Sequence, residues 1–184
     1  MAQPMSREVN GVAVEQLAEV IRQVRSNPSL GDFAFRVRNE WDRGGHNKTT
    51  VEAFHGVDQE IEHVRRFELE ADEPAVLLGE DRGPNPVEHL LNALVACLTS
   101  AMVYHAAARG LEIRGIRSRV EGKLDVRGFL GIAPDITPGF RDITVTFEVD
   151  SDAPADKLRE CAEFSPVYNT LLRPPNIELR FEKA

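Results

Sequence analysis

Two cysteines are the residues of this chain with the most chemistry in reach. Cys97 sits inside an alanine- and leucine-rich run, and Cys161 lies four residues before a Ser165-Pro166 pair. A thiolate attacks disulfide sulfur and peroxide oxygen, and its reactivity follows its ionisation and access. The same residue also serves as a small hydrophobe in a core. On an ideal helical wheel Cys97 shares a side with Leu90, Ala93, Ala101 and Tyr104. Its mid-helix position denies it the N-terminal dipole that lowers a thiol pKa, so a reactive Cys97 needs a cation from elsewhere. Arg36, Arg38 and Arg43 in an upstream hairpin are the candidates. Cys161 reads as a buried or idle cysteine and Ser165 as the cap of the helix that Pro166 opens. Glu88 lies on the far face of the Cys97 helix, over ~10 Å away at the helical rise, and cannot touch the thiol within one chain. No Ser-His-Asp order, phosphate loop or paired acids stands out. The histidines are too scattered for a metal site: His55 and His63 fall in a strand-like region, His89 and His105 sixteen apart.

The element that must position Cys97 runs from Gly83 to Gly110. Asn85 suits the N-cap, Pro86 the first helical position and Glu88 the capping-box acid. Gly110 suits the residue just past the end. The spacing predicts one long helix, apolar nearly all round, which is either buried on most sides or spans a membrane. His89, Asn92, Thr99, Ser100 and His105 keep any run short of the ~18 apolar residues of a span, so a buried core helix is expected.

Around it the period changes repeatedly. Val12 to Arg25 places Val14, Leu17, Ala18, Ile21 and Val24 at helical spacing and predicts an amphipathic helix packed on the domain or a partner. Phe33, Phe35 and Val37 alternate with polar neighbours as a strand. Arg43-Gly44-Gly45 supplies a turn into a second strand, Lys48 to Phe54, and Glu60 to Ala71 reads as a third. After Gly110, residues 116–126 show the longest alternation in the chain, with one solvated face. Ile143 to Val149 predicts the next strand, Pro154 to Phe164 a helix, Pro166 to Leu172 a short helix, and Ile177, Leu179 and Phe181 a last strand. The order β-β-β-α-β-β-α-β behind an N-terminal helix means α+β. Residues 1–30 read as a helical extension and 31–184 as the domain. A small sheet cannot cover both sides of so apolar a helix, which points to a homodimer burying central helices together.

Composition narrows the function classes. The 184 residues, 42% hydrophobic and 28% charged, suffice for a packed core. The net charge of −8 argues against a nucleic-acid or anionic-membrane partner. The polar start MAQPMSREVNG has no apolar signal-peptide core, so the cytosol is expected, where two cysteines are free thiols or a transient redox pair.

Pro86 followed eleven residues later by Cys97 in a leucine- and alanine-rich helix resembles the signature helix of the OsmC and organic hydroperoxide resistance superfamily. The stretches DVRGFLGI, ITVTFEVD and SPVYNTL are similar to the same superfamily, over roughly residues 33 to 183. The resemblance implies an intertwined homodimer, two central helices wrapped by sheets, with active sites at the subunit interface. It implies reduction of organic and fatty-acid-type hydroperoxides by a thiolate that becomes a sulfenic acid. A second cysteine then resolves this to a disulfide, and dithiols such as lipoyl groups reduce it, with no bound cofactor or metal. Two positions depart from that pattern. Ser165 stands where the resolving cysteine falls and Val87 where the active-site glutamate falls, while Arg43 is offset from the usual arginine across the Gly-Gly turn. The resemblance therefore implies Cys97 acting with Cys161 as a displaced resolver, or alone with an outside thiol. The rival is a non-catalytic dimer binding a small apolar or acyl ligand at the interface.

Overall fold

The computed structural model describes residues 7–183; residues 1–6 of the expected N-terminal extension lie outside the described residues. Ala13–Leu90 belong to one compact unit, and Glu8–Val12 with the chain from Leu91 onward to another.

In the first unit, α1 (Val14–Ser26) forms as its spacing predicts, yet none of its residues is buried. β3 (Val37–Arg43), β4 (His46–Val51) and β7 (Phe67–Ala71) make an antiparallel sheet in the order β3-β4-β7. Gly44, at φ 54°, lets the chain reverse between β3 and β4. Three strand expectations are corrected. Phe33 and Phe35 precede β3 rather than lie in it: Ala34 bridges His55, and Phe35 stacks on Phe54 at 5.3 Å. The second strand stops at Val51, and Phe54–Gly56 (β5) instead pairs with Gln59–Ile61 (β6). Val57 and Asp58 both take positive φ, which makes that two-residue turn, and the third expected strand divides into β6 and β7, with residues 62–66 in no strand.

In the second unit, β1 (Glu8–Val9) and β2 (Val12–Ala13, whose Ala13 is already in the first unit) join through Asn10-Gly11, both at positive φ. This Asn-Gly hairpin signal was legible in the sequence and is absent from the expected order. The Asn10 side chain donates to the Leu111 carbonyl at 3.0 Å and accepts from the Ile113 amide at 2.8 Å. β8 (Gly115–Leu124) and β9 (Phe140–Asp150) form the long hairpin. β8 ends at Leu124 because Asp125 caps a short helix α3 (Val126–Phe129), accepting from the Arg127 amide at 3.0 Å. α4 (Ala155–Ala162) and α5 (Pro166–Leu172) follow. The expected last strand is also corrected: Ile177, Leu179 and Phe181 lie in no strand and are exposed.

The central helix α2 spans Pro86–Ala108. The capping box forms as read: Asn85 accepts from the Val87 amide at 2.9 Å, and Glu88 accepts from the Asn85 amide at 2.8 Å. At the other end Gly110 takes φ 70°, and the Leu111 amide donates to the Ala106 carbonyl at 2.9 Å, closing a Schellman motif. By length and a mean hydropathy of 1.5, α2 is apolar enough to cross a membrane. Its Leu94, Leu98, Met102 and Ala106 are nonetheless buried with Leu158, Cys161 and Ala162 from α4, and Val145 and Phe147 of β9 pack against that cluster. This is a core helix covered on one side.

Candidate functional site

Within the second unit the two cysteines occupy unlike places. Cys161 is wholly buried at the end of α4, and Cys97 is half-buried on α2 outside the core cluster. Both thiols are free. The arginine that meets a thiol is Arg109, whose Nη1 donates to Cys161 Sγ at 3.4 Å and to the His105 carbonyl at 3.0 Å. Its guanidinium also lies 5.4 Å from the centre of the Phe164 ring, on which His105 stacks at 4.0 Å. Burial, and then the Arg109 charge, lower the His105 pKa below the usual imidazole range.

The helical rise keeps the sulfurs apart. His105 lies about 12 Å beyond Cys97 along the α2 axis. The two bonds of Arg109 hold the Cys161 sulfur close to the His105 carbonyl, while the Cys97 Cβ leans toward the helix N-terminus. That spacing is incompatible with an S–S bond of ~2 Å within one chain in this arrangement.

The remaining sequence candidates fall as follows. Ser165 is wholly buried and accepts from the Tyr168 amide at 3.2 Å, the cap its position predicts. Arg43, in the first unit, is paired with Glu80. Among the described residues no side chain makes a hydrogen bond to Cys97. Sequence reasoning missed Arg109 and His105; their i, i+4 spacing at a helix end was visible, but nothing in the order ties Arg109 to a cysteine 52 residues on.

A cavity of about 640 Å³ opens in the second unit. Leu98, Met102, Phe147, Leu158 and Ala162 supply apolar wall, with Ser151, Arg159, Glu163 and Tyr168 as polar members. This size lies within the range of small-molecule pockets. Cys97 is not among its lining residues, although the adjacent Leu98 is.

In the first unit, Asp72 is buried and organises the loop before α2. Its carboxylate accepts from the amides of Glu73 (2.8 Å), Glu80 (3.1 Å) and Arg82 (3.2 Å). Burial alone would raise its pKa, but these three donors overcome that and hold it below the ordinary carboxylate range. Among the described residues no cluster of His, Cys, Asp and Glu has metal-site geometry.

A long apolar helix with antiparallel strands in an α+β chain is an architecture shared with solved OsmC-like structures. The OsmC-like protein family model matches residues 79–180, more than half of the chain, and the chain belongs to that family. An OsmC-like protein from Mycoplasma pneumoniae is similar in structure, with a TM-score of 0.55 at 19% identity over 77% of this chain and 89% of that one. An OsmC-like protein of unknown function from Vibrio cholerae gives 0.51 at 12% identity, over 74% and 92%. At such identities the likeness is one of fold. No curated protein matches the sequence.

Proposed function

We propose that this protein is a thiol-dependent peroxidase that reduces organic hydroperoxides through Cys97 in a one-cysteine cycle, as a cytosolic homodimer. The observation that supports it is the placement of Cys97: a free thiol on the signature helix of an OsmC-family domain, half-buried and outside the packed cluster that encloses Cys161. The Cys97 thiolate attacks the distal peroxide oxygen, the O–O bond breaks, and the alkoxide leaves with a proton as the alcohol, leaving Cys97 as sulfenic acid. An outside thiol then condenses with the sulfenic acid, releasing water and forming a mixed disulfide. A second thiol, or the other arm of a lipoyl-type dithiol, attacks the outer sulfur and returns Cys97 to the thiol. The separation of the two sulfurs along α2 favours this cycle over resolution by Cys161. The dimer is supported by the far side of α2, where Leu90 and Tyr104 are exposed on an otherwise apolar helix.

The cavity, with an apolar wall and a polar rim, favours a second reading, a module that binds a small apolar or acyl ligand. Intact mass separates the two. Reduced protein mixed with a slight excess of an organic hydroperoxide should gain one oxygen, and the Cys97→Ser variant should gain none while Cys161→Ser behaves as the parent. No rapid change in mass would remove the peroxidase reading and leave the binding module.

A further inference from the structure

α4 turns one stripe toward the cavity of the second unit. Ala155, Leu158, Arg159, Ala162 and Glu163 all line it, at the i, i+3, i+4, i+7 and i+8 positions of one helix face. Leu98 of α2 and Val145 and Phe147 of β9 supply facing apolar wall. Arg159 and Glu163 are the two charges of the lining, opposite in sign and one helical turn apart. They do not pair. Among the described residues neither side chain has an ion-pair or hydrogen-bond partner, whereas Lys157 and Glu160, outside the lining of the same helix, bond at 2.8 Å. Glu163 is also the C-cap of α4, at the negative end of the helix dipole, where a cation is favoured. The Tyr168 hydroxyl adds one group that can donate or accept.

Resting on the ligand-binding reading of this cavity, we infer that its ligand is a zwitterion with an apolar tail, a free α-amino acid of leucine or phenylalanine size. The Arg159 guanidinium forks onto the ligand carboxylate, the Glu163 carboxylate accepts from the ligand ammonium, and the tail lies on Leu98, Phe147 and Leu158. A ligand with a carboxylate alone, such as a fatty acid, leaves Glu163 facing a like charge. An amine alone meets Arg159 in the same way. Only a group carrying both signs matches both side chains, so the charges select the class of ligand and the apolar wall selects its tail. The volume of about 640 Å³ leaves room for water around the polar end. Cys97, outside the lining, takes no part.

Isothermal titration of the full chain with matched probes tests it. L-phenylalanine should bind about tenfold more tightly than 3-phenylpropanoate, which lacks the ammonium, and than 2-phenylethylamine, which lacks the carboxylate. Arg159→Gln should weaken phenylalanine about tenfold and leave phenylethylamine no weaker, and Glu163→Gln should weaken phenylalanine as much and leave phenylpropanoate no weaker. Both residues are exposed, so these variants should keep the melting curve of the parent. Ala155→Trp, at another exposed position of the lining, places a large ring in the cavity and should abolish binding of every probe. Equal affinities for the three probes, indifferent to Arg159 and Glu163, would overturn the zwitterion assignment. Binding of the uncharged dye N-phenyl-1-naphthylamine without binding of phenylalanine would also overturn it, and would leave the apolar-ligand reading standing. No binding of any probe would remove both, and phenylalanine binding that survives Ala155→Trp would overturn the assignment by placing the site elsewhere.

Discussion

Replacing Arg109 with methionine keeps the aliphatic stem and removes the guanidinium, which in this structure does three things at once. It donates to the Cys161 sulfur, donates to the His105 carbonyl, and lies over the Phe164 ring. The carbonyl bond, made by a partly solvated group, and the ring contact at an exposed site together should be worth about 1–2 kcal/mol. The variant should therefore be less stable by that amount in a urea melt, with its midpoint at lower urea. The electrostatic consequence is more diagnostic. Burial is the larger cause of the depressed His105 pKa and the Arg109 charge the smaller. Arg109→Met should thus move the His105 titration upward, part of the way back toward 6.5 and no further. The sign for stability follows: a histidine whose folded pKa is depressed contributes fully above the unfolded value near 6.5, and that contribution is lost as pH falls below it. The variant should lose less on acidification through this window than the parent. NMR titration of the His105 ring with urea melts at pH 7.5 and 5.5 checks both. An unmoved titration, or one that returns fully to 6.5, would refute the assignment of causes.

Three further outcomes follow from the same structure. Gly110→Ala places a Cβ in open space at φ 70°, so its cost should be backbone strain alone, about 1 kcal/mol in a denaturant melt, and a loss above twice that would contradict the Schellman geometry. Leu98→Ala, truncating a 6% exposed side chain on the cavity wall, should cost about 2–5 kcal/mol and enlarge the pocket for an apolar fluorescent probe; a loss below 1 kcal/mol would mean that the core of the second unit is not packed as described. Asp72→Asn should lower stability at neutral pH and flatten the acid limb below about pH 4, because a carboxylate with depressed folded pKa stabilises above its unfolded value and fails as pH falls through the folded one. An unchanged acid limb would show that the three amides do not hold the charge.

Legibility differed element by element. The α2 capping box and its Gly110 terminus stood in the sequence because each rests on a residue type at a fixed offset. Ser165 as a cap was legible for the same reason. The β5–β6 hairpin was not, since Val57 at φ 48° is a conformation that a β-branched residue rarely adopts and no local signal announces. The last expected strand failed because alternation records a preference for a sheet without supplying the neighbouring edge. At the candidate site the thiols were visible, but which one meets an arginine was not.

The sequence by itself determined what is local: where α2 begins and ends, which residues of β8 face solvent, that the chain is α+β and that Cys97 lies in the middle of α2. Those features depend on intrinsic torsional preference, on capping over three or four residues, and on side-chain period. Only the tertiary structure decided that Cys161 is sealed in the core beside Arg109 while Cys97 stands outside it, and that a cavity of about 640 Å³ opens next to Leu98. These depend on how α4 seats against one face of α2, through dispersion and burial summed over residues more than fifty apart in the chain, and no spacing rule encodes such a sum.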